Sequence, residues 1–248
     1  MPNYYAEFET DRLVRENFYP DWSHQGVFVE VGAASPDYLS MSQHFRESGW
    51  RVIAIEPNPY FCAKHRERGY EILEYACGDR DEDDVPFETV LLSENNTYLD
   101  GKVTYESFSA LKVKADYAAL RPEITPTTIH VKLRKLDTIL AEHAPDVDHI
   151  DVLSVDVEGW ELDVIRGLSI ARFQPDIVII ENYFEEEAYV TCMVELGYAL
   201  WRTVHPNQIF TRASACPTQC LSASTETPRR RSPGVRGGVQ TAVETRHG

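Results

Sequence analysis

Between residues 27 and 212 the chain alternates short apolar runs with amphipathic stretches, and this rhythm restricts the fold more than any other feature. Val27–Val31 (VFVEV), Arg51–Ile55 (RVIAI), Tyr70–Ala76 (YEILEYA), Ile150–Val155 (IDVLSV) and Asp176–Ile180 (DIVII) read as buried strands. Parallel strands covered by helices on both faces need not alternate polar with apolar residues. Helical segments are expected between them, at 40–48, 59–68, 136–143, 161–167 and 185–196. That order is the signature of βαβ units around a parallel sheet, with GYALWRTV and NQIFTR as a closing strand pair.

The rhythm implies three regions. Residues 1–26 form an N-terminal extension with a helix over Tyr4–Phe18, residues 27–212 the α/β domain, and residues 213–248 a disordered tail. The tail lacks Phe, Trp and Tyr and is rich in Ser, Pro, Gly and Arg, a composition that cannot bury a core. From Asp79 to Arg134 the alternation blurs: DRDEDDVPF reads as an acidic loop, and TVLLSENNTYLD and TTIHVKLRKL as strands around an irregular segment. Long irregular segments in compact domains often cover a binding site.

Charge narrows the function. The formal net charge of −16 argues against nucleic acid as a partner, because phosphate binding needs a basic surface. No apolar run approaches the roughly 20 residues that span a bilayer, the acidic start MPNYYAEFETDR lacks the plan of a signal peptide, and the five cysteines show no zinc-like or disulfide spacing. A cytoplasmic location is expected, with homo-oligomer formation open.

In an open parallel sheet, ligands bind at the carboxyl ends of the strands, so the residues that follow each strand carry the chemistry. After the first strand, Gly32 lets the backbone turn and approach a ligand, and Ala33, Ala34 and Ser35 keep that surface small. A single glycine is not the three-glycine fingerprint of a dinucleotide site, which counts against a nucleotide-dependent oxidoreductase. After the second strand, Glu56 lies 24 residues beyond Gly32, near the spacing that sets an acid over a ribose. Asn58, two residues on, is a further cofactor-binding candidate and could also cap the following helix without Glu56. After the third, Asp79 is placed to accept from an adenine amino group, bordered by small Ala76 and Cys77. Asp156 follows the fourth strand, and Glu181 and Asn182 end the fifth. These three oxygen donors suit Mg²⁺, and equally a general base acting on a substrate hydroxyl. Glu158, just before Gly159, is either a second catalytic acid or an acid favoured by the start of a helix.

The motifs FVEVGAASPDYLS, AIEPNP, LRKLDTIL, DVLSVDVEGWELDVIRGL and PDIVIIEN, in that order, resemble the FkbM-type methyltransferases over roughly Val27 to Asn182. The Asp-Val-Glu-Gly-x-Glu-Leu block is the most specific of them. The resemblance implies a class I methyltransferase fold: a Rossmann-like, doubly wound, mostly parallel seven-stranded sheet whose last strand is antiparallel. It also implies S-adenosylmethionine as methyl donor and transfer to a hydroxyl of a small molecule or carbohydrate. Glu30 and Gly32 match the first cofactor motif, Glu56 the ribose acid, Asp79 the adenine-side loop, and Asp156 and Glu158 the acids of the block. The chain departs from the family where the first motif normally continues with Asn and a second Gly; here it reads Gly32-Ala33-Ala34-Ser35-Pro36. A domain that binds cofactor or partner without turnover is the non-enzymatic alternative.

Overall fold

The computed structural model describes residues 2–90, 97–98, 103–104, 109–120 and 126–212. The 213–248 tail lies outside them, as does most of the strand expected over TVLLSENNTYLD.

Six strands form the main sheet: β1 (Val27–Val31), β2 (Arg51–Ile55), β8 (Val152–Val155), β9 (Ile177–Glu181), β10 (Tyr198–Val204) and β11 (Asn207–Arg212). Their spatial order is β10-β11-β9-β8-β1-β2. β2, β1, β8 and β9 run parallel, and β11 is inserted antiparallel between β9 and β10. Among the described residues the sheet therefore has six strands rather than seven. The segment expected to supply the remaining edge strand, Tyr70–Ala76, makes only one bridge to the main sheet among the described residues, Leu73 to Ile55. Leu73 pairs through both backbone groups, to Ala54 and Glu56, but the Tyr75 N–H then turns back to the Leu73 carbonyl. The chain leaves the edge and enters a second sheet.

That second sheet has the order β3-β7-β4, from β3 (Ala76–Cys77), β4 (Glu82–Val90) and β7 (Pro126–Arg134), with a small β5–β6 pair (Thr97–Tyr98, Val103–Thr104). DRDEDDVPF, expected as a loop, is largely strand β4. Glu and Asp disfavour strands in isolation, but here they face basic residues across the ladder. Arg134 pairs with Asp83 at 2.5 Å and His130 with Asp84 at 3.1 Å. Cross-strand opposite charges offset the poor intrinsic propensity.

Helices cover both faces of the main sheet. Along β9, Val178 and Ile180 point into one core, with Leu136, Ile139 and Leu140 of α5 (Leu136–His143), Val164 and Ile165 of α6 (Glu161–Arg166), and Met193 of α8 (Glu187–Glu195). Ile177 and Ile179 point into the other, with Val14 of α1 (Thr10–Phe18) and Phe45 of α2 (Gln43–Glu47). The N-terminal helix thus begins at Thr10, after a 3-10 turn at Glu7–Glu9. Helix α3 (Pro59–Glu67) follows β2; α4 (Ala115–Leu120) and α7 (Ile170–Phe173) are short connectors. Period-two side-chain alternation on strands buried on both sides is what yields two cores from one sheet. Among the described residues no helix is long and apolar enough to cross a membrane.

Candidate active site

All four parallel strands of the main sheet end on one edge, and the loops leaving three of them meet there. The Gly32 and Ala33 N–H groups both donate to the Ile55 carbonyl at the end of β2, and the Asp156 N–H donates to the Val31 carbonyl. Gly32 sits in the left-handed region (φ 81°), and a Cβ on it would lie 1.7 Å from the Asp156 carbonyl oxygen. Only glycine lets the β1 and β8 loops approach so closely.

Between these loops and the second sheet opens a cavity of about 80 Å³. Gly32, Ala34, Glu56, Asp156 and Glu158 line one side. Phe61, Tyr75, Phe87 and Trp160 supply apolar walls, with Ala76 and Cys77 between them. Phe87, Ser109 and Leu111 come from the 79–134 region, which was expected to cover a site. No Lys, Arg or His lines the cavity among the described residues. A cationic or neutral ligand therefore suits it better than an anionic one.

Glu56 is buried, and each of its oxygens takes one backbone N–H: Oε2 from Ala34 at 3.0 Å and Oε1 from Asn58 at 2.8 Å. Asn58 Oδ1 accepts from Tyr60 N at 3.1 Å and caps α3, which leaves Glu56 free of that duty. A carboxylate oxygen accepts two hydrogen bonds, so each still has capacity for a ligand hydroxyl. Burial pushes the Glu56 carboxyl up to about 7, against the pull of the two N–H groups.

This raised value has a stability consequence. The folded state holds a proton on Glu56 that the unfolded chain releases near pH 4.5. Its contribution is fully present below about pH 4.5 and is lost as pH rises through about 7, on the order of 3 kcal/mol for this shift. Glu30, Glu158 and Asp11 are also raised, by burial first, and act with the same sign. Ligand-free protein should therefore resist urea better at pH 5 than at pH 8, and Glu56→Gln should flatten part of that slope. Equal midpoints at the two pH values would contradict the burial of these acids.

The turn between β8 and α6 carries the densest chemistry. Asp156, Glu161 and Glu181 each bring a carboxylate oxygen within 4.8 Å of the others. Asp156 opens onto the cavity. Enclosure by surrounding protein, then the charges of Glu161 and Glu7, push its carboxyl up, while a hydrogen bond with Glu181 pulls it down. Glu158 has a left-handed backbone (φ 56°), and its Oε2 is the one buried carboxylate oxygen without a hydrogen-bond partner among the described residues. Its carboxyl is held well above the usual range by burial, then by Asp156 and Glu161.

Other expected site residues point elsewhere. Glu30 is buried beneath the edge and accepts from Met41 N at 2.8 Å and Ser42 Oγ at 2.5 Å, tying β1 to the loop before α2. Ala33 is buried with Ala54, Cys62 and Ile72 and does not line the cavity. Asp79 lies on the surface, 3.5 Å from Arg80. Of the Asp156, Glu181 and Asn182 set expected for a cation, the first two come together, but the Asn182 amide is committed to Glu186 and Gln208. Glu161 stands in the third position. Sequence reasoning had not singled it out, although it is the second Glu of the Asp-Val-Glu-Gly-x-Glu-Leu block and opens α6.

A family model described as the methyltransferase FkbM domain matches residues 30–202, well over half of the chain. The chain belongs to the FkbM methyltransferase family. No curated protein matches it. The FkbM match makes the protein a methyltransferase and implies S-adenosylmethionine as its methyl donor. The residues present fit that donor. Glu56 keeps acceptor capacity, and the acidic lining suits a sulfonium cation.

Proposed function

We propose that this FkbM methyltransferase binds S-adenosylmethionine between Glu56 and the Gly32 loop and methylates a hydroxyl oxygen of a small molecule or sugar. One observation carries the reading. A buried carboxylate after β2 and a pair of acids after β8 face the same cavity, beside the Gly32 loop.

Glu56 would accept from the ribose hydroxyls, a charge-assisted pairing. Ala76, Cys77, Phe61 and Phe87 would border the base and exclude water. When bound, the cofactor supplies a methyl group already activated on a cationic sulfur. Asp156 then holds the acceptor hydroxyl and takes its proton on a carboxylate oxygen. A base raised toward working pH is well matched to that transfer. Alignment of the hydroxyl within about 3–3.5 Å of the methyl carbon supplies much of the remaining acceleration.

The test is methyl transfer from radiolabelled S-adenosylmethionine to matched panels of alcohols, sugars and amines, with products identified by mass fragmentation. Label found on hydroxyl oxygen supports the reading; label found only on nitrogen or carbon overturns it. In the same preparation, S-adenosylhomocysteine should raise the melting temperature and NAD⁺ should not, because only a ligand that prefers the native state stabilises it.

A further inference from the structure

We infer that Glu161 is a positioning residue: it clamps the Asp156–Gly159 turn so that Glu158 presents its carboxylate to the cavity. The inference rests on the cofactor reading above only where it concerns which ligands feel Glu158.

Glu161 is fully buried, on the first residue of α6. An acid at a helix start would ordinarily answer the free N–H groups of its own first turn. Two of its bonds instead run backwards. Oε1 accepts from Val157 N at 3.0 Å and from Gly159 N at 2.8 Å, straddling Glu158. Between those anchors Glu158 and Gly159 take left-handed backbone (φ 56° and 94°). For a glutamate this conformation is costly and persists only where the surroundings impose it. Oε2 accepts from the Tyr189 hydroxyl of α8 at 2.6 Å, so the clamp is itself fixed to the neighbouring helix. Lys114 Nζ donates to the Gly159 carbonyl and holds the turn from its other side. The Val157 and Gly159 N–H groups, on either side of left-handed Glu158, converge on one oxygen in the manner of an anion nest. Here the anion is part of the chain, and the residue it strains, Glu158, lines the cavity and has a buried Oε2 without a partner among the described residues.

The chemistry predicts how the variants should divide. Glu161→Gln keeps an oxygen for both N–H groups, and the Tyr189 hydroxyl can turn to accept from the amide. Glu161→Ala removes the clamp, and Glu161→Asp is too short to reach both N–H groups while keeping the charge; it serves if the Ala variant does not fold. Each is titrated by calorimetry with S-adenosylhomocysteine, which is neutral at sulfur, and with sinefungin, a stable analogue carrying an ammonium there.

A cation in the cavity favours the ionised form of Glu158, so wild type and Glu161→Gln should favour sinefungin. Glu161→Ala or Glu161→Asp should lose about tenfold or more of that preference, the worth of one charge-assisted hydrogen bond. A general loosening would weaken both ligands equally, and that result, or unchanged affinities, overturns the inference. A second measurement needs no ligand. The Gly159 amide proton, donating to a carboxylate, should resonate downfield in wild type and move upfield in the Ala or Asp variant. If it stays in place, the clamp does not exist. If wild type binds neither ligand while the Gly159 resonance moves as expected, the cofactor reading fails and the clamp stands.

Discussion

Asp156→Asn should abolish most of the methyl transfer and little else. The substitution keeps size and hydrogen-bonding capacity but removes the negative charge, so a fall on the order of 10²–10⁴-fold is expected, the usual worth of a positioned base. Folding should survive, because Asp156 opens onto the cavity and its neighbours Glu161 and Glu181 are acids. Removing one of several clustered carboxylates relieves repulsion and should leave the melting temperature unchanged or slightly higher. Affinity for S-adenosylhomocysteine should change little, since the proposed ribose acid, Glu56, follows another strand. Initial rates and melting curves on the same protein check both halves. If Asp156→Asn turns over normally while Glu158→Gln is inactive, the two acids exchange roles.

The largest effect on stability is expected at Gly32. Its Cβ would lie 1.7 Å from a backbone oxygen, which cannot swing aside as a side chain can. Gly32→Ala must therefore part the β1 and β8 loops or shift β1 itself. Overpacking and the left-handed backbone together should cost about 3–5 kcal/mol. That corresponds to a melting temperature lower by about 10 °C for a chain of this size. Gly69 provides the control. It has a similar backbone (φ 71°) but nothing within 4 Å of its Cβ position. Gly69→Ala should cost only about 1–2 kcal/mol, from backbone strain alone. Equal losses at the two positions would show that the close approach at Gly32 is unimportant.

The strands that build the active edge were legible because burial on both faces leaves an unbroken apolar run. Val27–Val31 and Arg51–Ile55 end where expected, and β8 and β9 begin and end within a residue or two of expectation. Strand β4 was not legible. Its acids look like a solvated loop until Arg134 and His130 of β7 are set opposite, and such long-range pairing is invisible in a local window. Tyr70–Ala76 erred in the other direction: its apolar content suggested a full strand, but the Tyr75–Leu73 backbone turn ends the pairing after one bridge.

Within the site, the rule that ligands gather at strand ends picked out Glu56, Asp156 and Glu158, all of which line the cavity. It could not say which way a side chain turns after its strand. Glu30, inside β1, faces the α2 side; Asn182 folds into its own turn; and Asp79 lies beyond the point where the chain leaves the sheet edge. Glu161 escaped notice because acids at helix starts are common, and only the coordinates show its bonds running back across Glu158.

The central claim is that the cavity between Glu56 and Gly32 is the cofactor site. Calorimetric titration of S-adenosylhomocysteine into the wild type and Glu56→Ala tests it most directly. Wild type should bind one equivalent, and Glu56→Ala should bind about 1.5–3 kcal/mol more weakly, the range for a lost charge-assisted hydrogen bond, with its fold intact. An unchanged dissociation constant in the folded variant, or no binding by the wild type, would contradict the claim.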